Sequence, residues 1–550
     1  MAQAMPPQSQ QFPERYDAEA AWTRVLCNVV ASEDFPPFVR CELRLREELL
    51  ALRERYEALL RVALGEDSGV QAPRESINRW LLERADRFSA SGAAGHSVDS
   101  ASQLYYEILA EVPVRLANVF PTDAAGQWRR LRVYSQAVRE WVTRRCPGEE
   151  GLSAGASAAL EGAQADAGGG AAEAASRLEA LREAVAPAVA RIEGPRVAAL
   201  CEELDLAVDA ALIAVRALRR NLIESGASDA DVNVRADGRS HVSLTARCCD
   251  DEGGAGGLGS VRLGAPCLAR LGELLRFTLA RLQCCSQSQE VAAAQELCKG
   301  ADVRRGGFLR LVFCVLCRYD ALCGPGKDEG QGLQAGVPQT VLEALAEHLN
   351  EGASCSPLAL LPMECYASPL NCRAVSARAS GLFGSIFADV DAFFGSVGSF
   401  LGEGFLPANG LYEVNPPFDL GVMERCAVRL LHLLERSEGL GGSLCFAVIM
   451  PEWQTPFIAS GSQKKDATPI AVLLNSRFCR GSLLVRGHQH SYVHGLSHLR
   501  GESGDRHMLA VAKSRCIVLQ TARHFELAPP SERLWQALRA AWRGGGAQHG

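Results

Sequence analysis

Residues 415–418 read Asn415-Pro416-Pro417-Phe418, directly after the apolar, strand-like run 410–414. Two consecutive prolines fix φ and remove two N–H donors, so neither a central strand nor a helix can continue through this point. The chain must leave the strand end in a stiff, extended turn before a helix-like stretch resumes at 422–434. That turn aims the Asn415 amide and the Phe418 ring at whatever lies beyond the end of the strand.

The neighbourhood repeats the same texture. Short apolar runs at 363–367, 388–394, 411–414, 444–450, 483–485 and 515–520 alternate with helix-like stretches. Alternation of this kind over about 200 residues predicts an α/β fold with a doubly wound sheet. The first half reads differently. Apolar residues fall at three- and four-residue spacing through 43–60, and the style returns at 76–84, 178–220, 266–283, 308–323 and 341–349, predicting helices. One strand is expected at 241–247. Residues 1–17 read as a loose polar tail, 18–330 as a mainly helical domain, and 331–550 as an α/β domain. The stretches 147–175 and 250–260 are rich in Gly, Ala and Ser, and read as flexible insertions.

Net charge is −7, so any contact with a polyanion must come from a local basic patch. Twenty cysteines are scattered along the chain, some adjacent, which favours reduced thiols over a disulfide framework. No run of about 18 apolar residues is present, so no membrane span is expected.

A carboxamide beside a flat ring suits a planar target with an amino group on its edge. The ring stacks on one face, and the amino protons bond to the amide oxygen and a nearby carbonyl. A Pro-Pro turn with a packed Phe is the bland alternative. Gly395 and Gly398 follow the run 388–394 and would let backbone approach a ligand closely, with Asp391 near enough to bond a ribose or an amine. An ordinary strand-to-helix turn reads the same. Trp453 lies just past a strand end, where it could stack on a base or fill the rim. Residues 477–515 hold seven Lys or Arg against two acids, with five histidines among them. No acid or cysteine completes a compact ligand set among these histidines, so no metal is expected. The strip reads as a phosphate-contacting surface or a merely solvated face. Cys314 and Cys317, within an apolar helical stretch, read as core packing.

Several segments, in order, resemble the phosphorylated-CTD-interacting factor family, the cap-specific adenosine N6-methyltransferases. They are residues 318–322, 332–336, 364–372 (Glu-Cys-Tyr-Ala-Ser-Pro-Leu-Asn-Cys), 393–400, 415–418, 449–453, 476–478, 489–492 and 530–534. The resemblance covers most of 310–543, and the helical part, including 73–80, is similar to the family's helical domain. It implies a Rossmann-like methyltransferase sheet and S-adenosylmethionine as methyl donor. The implied substrate is capped mRNA, modified on the exocyclic amine of a 2′-O-methylated adenosine beside the 7-methylguanosine cap, in the nucleus or the cytoplasm.

Carried over, Asn415 and the Pro416 carbonyl would hold the amine and Phe418 would stack on the adenine. Pro417, Asp419, Trp453, Gln454, His488, Gln489 and His490 would lie on the substrate side. Pro369, Asn371, Asp391, Gly395, Ser396 and Gly398 fall where cofactor contacts are expected. Arginines of the helical domain would grip the cap, and Arg44 and Arg74 are the candidates. Two features depart from the family pattern. No WW module is recognised before residue 21, which leaves only an indirect link to RNA polymerase II. Asp419-Leu420 also follows Phe418 where the family often has Cys-Glu. Competing readings are the same chemistry on internal RNA, DNA or a protein amide, and a scaffold that binds caps without turnover.

Overall fold

A computed structural model describes residues 18–31, 38–64, 74–84, 104, 108–109, 124–145, 152–163, 170–226, 229–238, 240–247, 258–284, 307–324, 333–350, 361–373, 381–452, 468–495, 497–499 and 507–544. Its first half is helical: α1 (Ala18–Ala31), α2 (Val39–Leu64), α3 (Arg74–Glu83), α4 (Ala124–Arg145), α5 (Ala154–Gly162) and the long α6 (Ala171–Ser225). A three-stranded antiparallel sheet follows, β1 (Asp231–Asp237), β2 (His241–Arg247) and β3 (Gly259–Gly264), and then α7 (Ala265–Cys284) and α8 (Phe308–Cys323). Only β2 was expected from the sequence. Its partner β1 alternates apolar and polar residues (Asp-Val-Asn-Val-Arg-Ala-Asp) but buries only Val232, and β3 (Gly-Ser-Val-Arg-Leu-Gly) is short and bounded by glycines.

The insertion expected at 147–175 is a correction. Its described part contains α5, and α6 begins at Ala171. Alanine has the highest helix propensity, Ser153 caps the first turn by accepting from Ala156 N–H, and Ala156 and Leu160 are buried. Small residues here are helix formers, not spacers. The insertion at 250–260 lies outside the described residues except at its end, where Gly259 and Ser260 enter β3.

The second half is built on a five-stranded sheet of β4 (Met363–Glu364), β5 (Gly410–Val414), β6 (Leu444–Pro451), β7 (Cys479–Val485) and β10 (Ser514–Gln520), in the order β4-β5-β6-β10-β7. Strands β4, β5 and β6 are parallel, whereas β10 runs antiparallel to both β6 and β7. The sheet is therefore mixed, not parallel throughout. A separate ribbon pairs β8 (Ser491–Val493) with β9 (His507–Leu509). The run 388–394, read from sequence as a strand, is instead a short helix, α10 (Ala388–Asp391), continued as a 3-10 turn through Phe394. Its apolar residues point into the core from a helical turn, and a run this short carries no period that separates the two.

Alternation along β6 shows how the sheet is covered. Leu444, Phe446, Val448 and Met450 join one apolar cluster and Cys445, Ala447 and Ile449 the other. The first cluster includes α11 (Leu420–Gly439) and runs on into the helices of the first half. The second is closed by α9 (Gln339–Leu349) and the C-terminal helix α12 (Glu532–Gly544), with Trp542 fully buried between them and the sheet. Cys314 and Cys317 are buried core residues of α8. The described cysteines are all free thiols. No described helix is long and apolar enough to cross a membrane.

Candidate active site

Because β4 and β5 are parallel neighbours, the segments that leave their carboxyl ends emerge side by side. Residues 365–368, Asn415 and Pro417 line one hollow there, the position where open α/β sheets bind ligands, whereas Pro416 and Phe418 are not part of its lining. The hollow is shallow, of about 50 Å³, and opens to solvent. Its wall is mixed: the aromatic rings of Tyr319, Tyr366 and Phe400, the hydroxyls of Ser368, Ser385 and Ser399, and the carboxamides of Gln334, Asn371 and Asn415.

The diproline corner behaves as its chemistry requires. Asn415 and Pro416 are buried, and Pro417 and Phe418 are half-buried. Asn415 Nδ2 donates to Ala335 O at 2.8 Å, which fixes the amide plane. Its Oδ1 is buried without a hydrogen-bond partner, although the residue lines the hollow. A buried unpaired carbonyl costs roughly 1–3 kcal/mol, so this acceptor is held ready for a donor that the protein does not supply.

Phe418 packs edge-to-face on Tyr492, with ring centroids 5.1 Å apart. Asp419 does not face the hollow as a ligand. It is buried and caps α11, accepting from Val422 N–H at 2.9 Å, while its own N–H donates to Pro417 O. An acid at the first turn of a helix is the ordinary N-cap solution, and this corrects the substrate-side expectation.

Of the cofactor-side candidates, Asn371 is in the wall. Its Oδ1 accepts from Ser368 N–H (2.7 Å) and faces the Ser368 hydroxyl (3.0 Å), and its Nδ2 donates to Gln334 O (3.1 Å). Pro369 is buried and its carbonyl accepts from Arg270. Asp391 lies one layer back, with Oδ2 accepting from the Tyr319 hydroxyl at 2.7 Å. Burial raises the Asp391 carboxyl to about 7, against the opposing pull of hydrogen bonds from Ser385 and Tyr319. Gly395, Ser396 and Gly398 do not line the hollow but shape the turn behind it. Gly395 has φ +103° and a Cβ there would lie 2.2 Å from Gly381 O. Ser396 Oγ accepts from Gly398 N–H and bonds Ser385 Oγ at 2.8 Å, and Ser385 in turn lines the wall.

The remaining candidates separate. Trp453 and Gln454 lie outside the described residues, as does the side chain of Arg74, the first residue of α3. Arg44 is half exposed on α2, paired with Glu48 one turn on, and does not line the hollow. His488 is exposed at φ +59°, and Gln489 beside it is exposed too. His490 is buried instead, bonded to Ser514 Oγ and Arg486 O and packed on Trp542.

The basic strip is not one solvated face. His494 and His498 are also buried, Arg477 pairs with Glu438, and Arg515 pairs with Glu452. Among the described residues no group of three or more His, Cys, Asp or Glu is placed to hold a metal. Sequence reasoning missed Tyr319, Gln334, Tyr366, Ser368 and Ser385 as wall residues. Tyr319, Gln334, Tyr366 and Ser368 do fall in segments that resemble the family (318–322, 332–336 and 364–372), and a tyrosine inside the apolar run of α8 was a further signal, since a buried hydroxyl needs a partner.

A family profile described as the phosphorylated CTD interacting factor 1 WW domain matches residues 295–495, which hold α8, α9 and strands β4 to β8. The human protein named mRNA (2′-O-methyladenosine-N(6)-)-methyltransferase is 28% identical over 559 residues, covering 97% of this chain and 71% of its own length. The mouse protein of the same name is 27% identical over 554 residues, with the same coverage. Over residues 295–495 the chain is similar to the phosphorylated CTD interacting factor family. That description names a WW domain, in contrast with the sequence reading, which recognised none. The matched stretch takes in both the Asn415 corner and the Asn371 wall, so the family resemblance and the hollow coincide on the same residues.

Proposed function

We propose that this chain is an mRNA (2′-O-methyladenosine-N6-)-methyltransferase. It transfers a methyl group to N6 of the adenosine next to a 7-methylguanosine cap, with S-adenosylmethionine as donor and a Rossmann-like methyltransferase sheet as scaffold. The observation that carries this reading is the unpartnered Asn415 Oδ1 in the wall of a hollow at the carboxyl ends of β4 and β5. The human and mouse relatives, named for that activity, match along 97% of the chain.

The wall fits a nucleoside donor: hydroxyls and carboxamides for polar edges, and tyrosine and phenylalanine rings for a flat base. Asn371, with Ser368 and Ser385, would hold it, backed by Pro369, Asp391 and the turn through Gly395, Ser396 and Gly398. When bound, S-adenosylmethionine supplies an electrophilic methyl carbon. Adenine N6 is a poor nucleophile because its lone pair is delocalised into the ring. Asn415 Oδ1 accepts one amine proton and the Pro416 carbonyl the other, which favours a pyramidal nitrogen with a localised lone pair. The same two acceptors stabilise the positive charge that grows on that nitrogen. Phe418 holds the base plane, an orientation effect. No general base is required, since the product ammonium is acidic enough to lose its proton to water.

His488 and Gln489, exposed on the loop that follows β7, are proposed RNA contacts, and Trp453, Gln454, Arg44 and Arg74 are proposed cap and RNA contacts. Capped mRNA as substrate argues for action in the nucleus, near the polymerase that makes it.

The test is mass spectrometry of RNA after incubation with protein and methyl donor. One added methyl on the cap-adjacent adenosine, absent from uncapped RNA and DNA, is the expected result. Methylation of internal adenosine irrespective of the cap would reassign the substrate. Tight binding of S-adenosylhomocysteine without any turnover would leave a scaffold.

A further inference from the structure

Gln334 sits between the two candidate asparagines. Its backbone carbonyl accepts from Asn371 Nδ2, and the next carbonyl, of Ala335, accepts from Asn415 Nδ2. Gly336 bonds Val493 in both directions, so residues 334–336 are fixed from three sides. The Gln334 side chain lines the hollow and is only 7% exposed. One end of its carboxamide meets Cys323 Sγ at 2.9 Å, and the other end, Oε1, has no partner.

Burial raises the Cys323 thiol to about 11, so it stays protonated and can either accept from the amide nitrogen or donate S–H to the amide oxygen. Whichever way the amide is turned, one polar end remains unsatisfied in the wall. Such a group, buried and rigidly mounted, is costly unless something outside the protein completes it.

We propose that Gln334 is a specificity-determining residue of this site, its free carboxamide end bonding the Watson–Crick or Hoogsteen edge of an adenine. Carboxamides match adenine because its edge offers an N–H donor and a ring-nitrogen acceptor side by side. The inference rests on the adenosine-methyltransferase reading, in which two adenines meet in this hollow, one from the methyl donor and one from the target. Gly495 supports the same side chain from behind, since a Cβ there would lie 2.6 Å from Gln334 Cβ.

The test compares wild type with Gln334→Met, similar in length but without hydrogen-bonding groups, in two arms. Calorimetry measures binding of S-adenosylhomocysteine against S-inosylhomocysteine. Competition binding compares capped RNA beginning with adenosine against the same RNA beginning with purine riboside. A loss of about tenfold in preference for adenine in the first arm supports the proposal and assigns the donor's base, and in the second it assigns the target's. Preference unchanged in both arms overturns it. Should Gln334→Met not fold, Gln334→Glu keeps the shape, and an unchanged preference in that variant overturns the proposal equally. If wild type binds no S-adenosylhomocysteine at all, the methyltransferase reading fails and this inference with it.

Discussion

Phe418 and Tyr492 meet edge-to-face, with centroids 5.1 Å apart and planes at 72°. Behind them runs a buried chain of hydrogen bonds. The Tyr492 hydroxyl donates to Ser514 Oγ at 2.7 Å, Ser514 donates to His490 Nε2 at 2.7 Å, and His490 Nδ1–H donates to Arg486 O at 3.0 Å. Burial lowers the His490 pKa, in keeping with a neutral ring that accepts on one side and donates on the other. The ring proposed to stack on substrate is thus steadied by a tyrosine that cannot itself rotate freely.

Tyr492→Ala is therefore expected to loosen Phe418 and leave Ser514 without its donor. Edge-to-face contact contributes about 0.5–1.5 kcal/mol beyond area burial, so turnover should fall roughly 3- to 10-fold or more. Tyr492→Phe keeps the ring contact and should keep most of the activity. Steady-state kinetics with capped RNA, alongside thermal melting, separates the two. Equal losses in both variants would place the effect in the hydroxyl chain instead.

Asn415→Ala removes both the fixed donor to Ala335 O and the waiting acceptor. Loss of one preorganised polar group at a reacting centre costs on the order of 10²-fold in rate. The Ala335 carbonyl loses one bond at the edge of a hollow that water can enter, so melting should shift little. Single-turnover rates and S-adenosylhomocysteine calorimetry check this. A rate unchanged at saturating substrates would remove Asn415 from the chemistry.

The sheet of the second half was legible because β5, β6 and β10 carry apolar runs bounded by breakers, and the diproline ends one of them unmistakably. The Asn415 corner was legible for the same reason. What was not legible came from three physical sources. Strand direction is not written in a strand's own residues, so the antiparallel insertion of β10 could not be read. The stretch 388–394 (Ala-Asp-Val-Asp-Ala-Phe-Phe) has too few residues to show a period, and its helical form was missed. The far wall of the hollow, Tyr319 and Gln334, comes from elements remote in sequence, and only tertiary packing brings them beside Asn371 and Asn415. Asp419 looked like a ligand because its capping role depends on where the following helix starts.

Asp391 gives a pH signature. Burial lifts its carboxyl from an ordinary value near 3.8 to about 7. The folded protein therefore holds a proton that the unfolded chain has released, and this contribution to stability is full below about pH 4 and lost as pH rises through about 7. It amounts to a few kcal/mol at most, because a tenfold change in proton affinity is worth about 1.4 kcal/mol. Asp391→Asn cannot titrate and still accepts from the Tyr319 hydroxyl. Its stability relative to wild type should rise between pH 4 and 7 and then level off. Urea midpoints measured at intervals across that range decide it, and parallel curves for the two proteins would exclude the assignment.

Arg318 of α8 joins the helical half to the turn behind the hollow. Its guanidinium bonds Glu42 of α2, with one contact at 2.8 Å, and Asp389 of α10 at 3.0 Å, and it lies 5.1 Å from the centre of the Phe387 ring. Arg318 and Glu42 are both buried. A buried cation between two acids adds little net stability compared with apolar replacements, yet removing it alone leaves charges uncompensated at a cost of about 3–5 kcal/mol. Arg318→Met should therefore lower the denaturant midpoint sharply and disturb Asp391 and the Gly395 turn through α10. The triple variant Arg318→Met, Glu42→Gln, Asp389→Asn removes the stranded charges and should regain much of that loss. Equilibrium unfolding of the three proteins, read together with S-adenosylhomocysteine affinity, tests both halves of the argument. A single variant as stable as wild type would show that the cluster does not hold the two halves together.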